Sequence, residues 1–220
     1  MARSDITLAE QFEKRKNWKK ALVDCVGATF LYRERLKNGK VFSALDTYEL
    51  LVTERLKGSE TGQFQAHHGG FMETTDVDDW DGACREVAEE IGYNLAPDNL
   101  RRVTSIGPCL FRSELEIISD KEIRFTISDV EAEPNVAFIL PLFSANVTGL
   151  ERPGETDGEV TGGLWMTPRE IITRFGSKGD LPYSQFNYFQ YLVPLLQHFN
   201  GERTYERRAI SQPGVYTIPV

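Results

Sequence analysis

Apolar positions along this chain fall mostly into short runs separated by turn residues, with two stretches that instead recur at helical spacing. Ala21 to Tyr32, rich in Val, Ala, Phe and Leu, reads as a strand. Asn38-Gly39 marks a turn, Tyr48 to Leu56 (YELLVTERL) a second strand, and Lys57 to Gln63 a loop. Gly69-Gly70 breaks any regular element. Trp80, Ala83, Cys84, Val87, Ala88 and Ile91 then recur every three or four residues and predict one buried stripe on an amphipathic helix of about three turns. Asp78 and Asp79 sit where an N-cap belongs, and Gly92 is placed as the stop.

Further strands are predicted at Arg102 to Ile106, Lys121 to Ile127 and Asn135 to Val147, with an acidic turn over Asp129 to Pro134. A loop rich in glycine and acids, Gly149 to Gly163, carries Glu151, Glu155, Asp157 and Glu159. Leu164-Trp165-Met166 resumes a strand, and Thr167-Pro168-Arg169-Glu170 starts a helix with threonine as cap and proline in its first turn. A last, aromatic-rich helix begins near Ser184, and Pro194 should kink or end it. Phe186, Phe189 and Val193 have core spacing there, so this face, with Tyr188 and Tyr191, is read as packing rather than as a base-stacking surface. Residues 4–20 predict a short helix, and residues 201–220 a weakly structured tail. Strands interleaved with few helices predict an α+β fold, a mixed sheet with helices on its faces.

Composition narrows the function classes. The 220 residues suit one domain, 40% hydrophobic and 26% charged, with a net charge of −8. That charge argues against a duplex nucleic acid as partner, but not against a nucleotide, because a bound cation can supply local positive charge. Cys25, Cys84 and Cys109 form no CxxC pair, which argues against a disulfide framework or zinc site. The polar start at Met1 to Asp5, and an apolar segment (Val136 to Leu150) too short for a bilayer, complete the expectation of a cytoplasmic protein with no membrane partner.

The candidate chemistry lies on the predicted helix. Glu86, Glu89 and Glu90 stand at i, i+3 and i+4, within one arc of its surface. Like charges so placed repel by a few tenths of a kcal/mol, roughly, per pair, and a divalent cation between them reverses the sign. Magnesium takes oxygen ligands and shares its remaining positions with water and substrate phosphates, so the pattern points to a metal-dependent enzyme acting on a phosphorylated substrate. His67 and His68, beside the glycines, are within reach of a phosphate but are read as exposed loop residues without a specific role, and Cys84 as packing.

Gly70 to Tyr93 resembles the signature of the Nudix hydrolases, G-x5-E-x7-R-E-U-x-E-E-x-G-U with U aliphatic. The match runs through Arg85, Glu86, Val87, Glu89, Glu90 and Gly92. Asp76 stands in place of the first glutamate, the spacer from there to Arg85 is eight residues, Tyr93 replaces the last aliphatic residue, and His68 stands where many members have proline. The resemblance implies an α/β/α sandwich with a mixed sheet and the motif helix on one face. The corresponding domain is residues 21–200, between an N-terminal extension (1–20) and a C-terminal tail (201–220).

The resemblance also implies roles. Glu86, Glu89 and Glu90 would hold magnesium, with manganese as the alternative, aided by a backbone carbonyl of Gly69 or Gly70. Arg85 would point away from the metal face and clamp Asp76. The general base of this family is often a glutamate on a later loop, here Glu155 or Glu159. The implied activity is hydrolysis of a nucleoside diphosphate linked to another group. Pro108, fifteen residues past Tyr93, resembles the ADP-ribose and nucleotide-sugar subgroup, whose members are often homodimers. Two alternatives stand: a Nudix-fold nucleotide-binding module without turnover, and a nucleoside-triphosphate pyrophosphatase. No residue is assigned to substrate binding.

Overall fold

Strand β8 (Ala137–Asn146) organises the main sheet. In the computed structural model, β1 (Leu22–Asp24) and β2 (Ala28–Glu34) both run parallel to it, in registers that continue from Asp24 opposite Ile139 to Ala28 opposite Leu142. β5 (Leu100–Ile106) pairs with β8 antiparallel. β3 (Tyr48–Arg55) is antiparallel to β2 and carries β9 (Val160–Met166) and the two-residue β4 (Phe64–Gln65). The structure describes residues 22–24, 28–35, 43–57, 61–70, 72–106, 112–128, 137–147, 150, 158, 160–176, 189–201 and 214–220.

The registers bring the glycine pair to the N-terminal end of β2. β2 meets β3 only through Tyr32 to Glu34, while Thr53 and Glu54 of β3 face Gln65 and Phe64. His68 in turn bridges Thr29 of β2. Residues 64–68 therefore fill the space where β2 and β3 part, and deliver Gly69 and Gly70 to the start of β2.

Side-chain alternation separates two cores. Leu31, Leu51 and Phe143 pack on one face with Ala83, Val87 and Ile91 of α2 (Asp79–Ile91). Phe30, Leu50, Val52 and Leu142 point to the other face. There they meet α1 (Ala44–Thr47), α3 (Pro168–Phe175) and α4 (Phe189–Phe199). This is a mixed sheet between helical layers. A second, antiparallel sheet of β6 (Arg112–Ser119), β7 (Glu122–Ser128) and β10 (Gly214–Pro219) closes that core with Leu115, Phe125 and Ile218.

Several expectations are corrected. The strand expected over Ala21 to Tyr32 is two strands, and β9 begins at Val160, inside the stretch read as loop. Residues 214–219 are an ordered strand rather than part of a loose tail, because Ile218 and Val220 are buried and β7 supplies the ladder. Helix α4 continues past Pro194 to Phe199. The lost hydrogen bond and ring clash cost about 3 kcal/mol, a cost that burial of Leu192, Val193, Leu195 and Leu196 offsets at about 1.5–3 kcal/mol each. α1, β4 and β6 were not expected: each is short or lacks a clean apolar period. The expected N-terminal helix, the Asn38-Gly39 turn, the acidic turn over 129–134, Phe186 and Tyr188 lie outside the described residues.

Candidate metal and active site

Helix α2 is fixed at both ends by its own sequence. The Asp78 carboxylate accepts from the Trp80 and Asp81 amides at 3.0 and 2.9 Å, satisfying donors that the first turn leaves open. Gly92 closes the helix in the left-handed region at φ 69°, its amide donating to the Ala88 carbonyl. Arg102 of β5 donates to Asp79 at 2.7 Å and ties the first turn to the sheet.

The buried arc of α2 is wider than the apolar period predicts. Ala83, Val87 and Ile91 are fully buried, and Trp80 and Cys84 pack against them. Ala88, expected on that stripe, is only half-buried, whereas Glu86 and Glu90 are 2% and 3% exposed. The reason is the 66–70 segment, which lies over the glutamates. A Cβ added at Gly70 would stand 2.6 Å from Glu86 Oε1, so only glycine lets the backbone come this close.

Arg85 sits among acids. Its Nε and Nη2 donate to Asp76 Oδ1 and Oδ2 at 2.9 and 3.0 Å, a two-bond fork that the shorter aspartate still reaches. The Glu73 amide also donates to Asp76, at 2.7 Å. Burial opposes the Asp76 charge, yet the bonds from Arg85 and Glu73 outweigh it and hold the carboxyl below its ordinary range. Burial likewise works against the guanidinium charge, but Asp76 and Glu86 reverse the balance and raise its pKa.

One expectation about Arg85 fails. It does not point away from the helix glutamates: Nη1 donates to Glu86 Oε1 at 2.9 Å and to Glu89 Oε2 at 3.0 Å. Glu89 is one helical turn on, within reach of the same long side chain. Glu86 and Glu89 are thus brought together by Arg85, and Glu90 is held apart by a different partner. That partner is His68, whose Nδ1 lies 3.3 Å from Glu90 Oε2.

Neither histidine is an exposed loop residue, contrary to the sequence reading. His68 is fully buried, and its backbone exchanges both hydrogen bonds with Thr29, at 2.7 and 2.9 Å. His67, on the other face, packs edge-on to Tyr191 with ring centroids 5.4 Å apart. Burial, then His68 and Arg55, push the His67 pKa well below its ordinary value, so it stays neutral. Two histidines beside glycines gave no periodic signal of burial; only the pairing with Thr29 reveals it. Phe189 and Tyr191 are core residues. Cys84 is half-buried, its thiol pKa raised by burial and then by Asp81 and Asp78.

The donor set fits a hard divalent cation. Arg85 faces Glu73 at 3.8 Å as well as Asp76, Glu86 and Glu89, so several acids gather around this guanidinium. All are oxygen donors, the ligands that magnesium and manganese accept. As they stand, no three acidic, histidine or cysteine side chains converge into a ligand cage among the described residues. Glu155, Glu159 and Pro108 lie outside the described residues. No helix among the described residues is long and apolar enough to cross a membrane.

A family model for the NUDIX domain matches residues 40–186, spanning the sheet centre, α2 and α3. The chain belongs to the NUDIX family. Among solved structures it is similar to the NUDIX domain of Shewanella oneidensis NrtR complexed with ADP ribose, at 13% identity and a TM-score of 0.54, covering 87% of this chain and 98% of that one. It is also similar to a NUDIX hydrolase from Alicyclobacillus acidocaldarius, at 17% identity and a TM-score of 0.51, covering 88% and 99%. At these identities the likeness is one of fold, and it agrees with the mixed sheet between helices. No curated protein matches the chain in sequence.

Proposed function

We propose that this NUDIX chain is a divalent-metal-dependent hydrolase of the pyrophosphate bond in a nucleoside diphosphate linked to a second group, ADP-ribose or a nucleotide sugar, with water attacking phosphorus. One observation carries the reading: Glu86 and Glu90 are buried on α2 directly against the 68–70 segment, with Glu89 beside them. Buried carboxylates require a counter-charge, which a divalent cation would supply beside Arg85.

Glu86, Glu89, Glu90 and a carbonyl of Gly69 or Gly70 would hold magnesium or manganese. When bound, the metal neutralises diphosphate charge and lowers the pKa of the attacking water. The chain's own residues supply position. Gly70 admits the backbone to the Glu86 carboxylate, and Arg85, forked onto Asp76, sets the orientation of Glu86 and Glu89. Glu155 or Glu159, both of which precede β9 in the sequence, is the proposed acceptor of the water proton. The working unit is residues 21–200, in a reducing cytoplasm, with a homodimer as the proposed assembly.

A second reading, a nucleotide-binding module without turnover, has one observation in its favour. Arg85 itself engages Glu86 and Glu89, and so competes with a cation for their oxygens. Incubation with ADP-ribose, nucleotide sugars, dinucleotides and nucleoside triphosphates, with magnesium and then with excess chelator, separates the two. ADP-ribose comes first because a domain of the same fold was solved with it. Metal-dependent release of two monophosphates supports the first reading. Pyrophosphate released from triphosphates alone moves the substrate to that class. Binding without any turnover establishes the module.

A further inference from the structure

We infer that His68 is a positioning residue for Glu90, holding one oxygen of that carboxylate so that the other faces the metal site. The inference rests on the metal reading proposed above and adds to it a residue outside the helix motif.

Three observations carry it. First, the backbone of His68 is clamped from both sides of one peptide pair, Thr29 amide to His68 carbonyl at 2.7 Å and His68 amide to Thr29 carbonyl at 2.9 Å. The imidazole is therefore presented from a rigid sheet position. Second, Nδ1 lies 3.3 Å from Glu90 Oε2, with both side chains almost wholly removed from solvent, at 0% and 2% exposure. Third, Nε2 of the same ring is buried with no hydrogen-bond partner among the described residues.

The third observation decides what the ring does. A carboxylate oxygen in this contact accepts, so the donated hydrogen belongs on Nδ1, and Nε2 is left without a partner among the described residues. Burying a polar atom without a partner costs about 1–3 kcal/mol, and an apolar side chain would fill the same volume without that cost. Among the described residues, the contact with Glu90 is the one interaction of the ring that an apolar residue cannot replace. Proline, which the family resemblance leads one to expect here, would lack both the ring nitrogen and the amide that bonds Thr29.

A partner that fixes a ligating carboxylate from outside typically changes metal affinity by about 10- to 100-fold when removed. The test uses Mn²⁺ alone as probe, its dissociation constant read by electron paramagnetic resonance or calorimetry on the full chain. Metal-free melting temperatures are recorded beside it. The variants are His68→Leu, which keeps bulk and removes the donor, and His68→Asn, whose amide nitrogen can take the place of Nδ1. Glu90→Gln is the control.

The expected result is Mn²⁺ binding weakened about 10- to 100-fold in His68→Leu and restored to within about threefold of the parent in His68→Asn, with Glu90→Gln weakened at least as much as His68→Leu. Unchanged affinity in His68→Leu overturns the inference while Glu90→Gln still reports on the metal site. Equal weakening in both His68 variants, together with lowered melting temperatures, makes His68 a packing residue and also overturns it. If Glu90→Gln leaves Mn²⁺ binding unchanged, the metal reading itself fails and the inference falls with it.

Discussion

Gly70 lies against the carboxylate of Glu86, so close that a Cβ on residue 70 would stand 2.6 Å from Oε1 and 2.9 Å from Cδ. The glutamate is almost fully buried and bonded to Arg85, so it has little room to retreat. Gly70→Ala should displace Glu86 at a cost of about 1–3 kcal/mol, the usual range for overpacking. Metal affinity should fall along with stability. Urea unfolding and Mn²⁺ titration check this; a variant equal to the parent in both would show that the loop shifts freely.

Arg85→Lys keeps the positive charge and removes the fork. A single ammonium cannot make both bonds to Asp76 while also reaching Glu86 and Glu89. With the Asp76 side chain only 3% exposed, the expected loss is about 1–3 kcal/mol in urea unfolding. Turnover should drop further than the stability loss explains, because Glu86 and Glu89 lose their common brace. Full activity in Arg85→Lys would make the charge sufficient and the geometry irrelevant.

Away from the site, Asp46 of α1 receives two bonds from Arg169 of α3, at 2.8 and 2.7 Å. The Arg169 hydrogen bond, opposed by burial, holds the Asp46 carboxyl below its ordinary 3.8. The folded pKa is thus lower than the unfolded one. Its contribution to stability is complete above the unfolded pKa and disappears as pH falls through the folded pKa. Asp46→Asn should be less stable at neutral pH by about 0.5–1 kcal/mol, since the pair is part-exposed. In acid, once pH has fallen through the folded pKa, the two proteins should converge. Unfolding curves at both pH values check it, and a gap that stays constant contradicts the assignment.

Much of this architecture is legible from local pattern. The period of Ala83, Val87 and Ile91, the cap at Asp78 and the stop at Gly92 give α2 almost to the residue, because each is a short-range rule. The capping box at Thr167 and Glu170 gives α3 for the same reason. Burial of Glu86, Glu90 and His68 is not legible in this way. It arises from residues 64–68 entering between β2 and β3, a long-range pairing that turns a polar stretch inward. The direction of Arg85 was missed because one guanidinium can serve Asp76 and the helix glutamates together. The strand at 214–219 was missed because its partner, β7, lies nearly ninety residues earlier.

Glu90 acting as a metal ligand in a hydrolase is the central assignment. The direct measurement is kcat for magnesium-dependent release of monophosphates from the best substrate of the panel, in the parent and in Glu90→Gln, at saturating magnesium and with unchanged melting temperature. The account predicts a fall of about a thousandfold or more, as expected when a group that organises charge in phosphoryl transfer is removed. Turnover in Glu90→Gln within about threefold of the parent would contradict it.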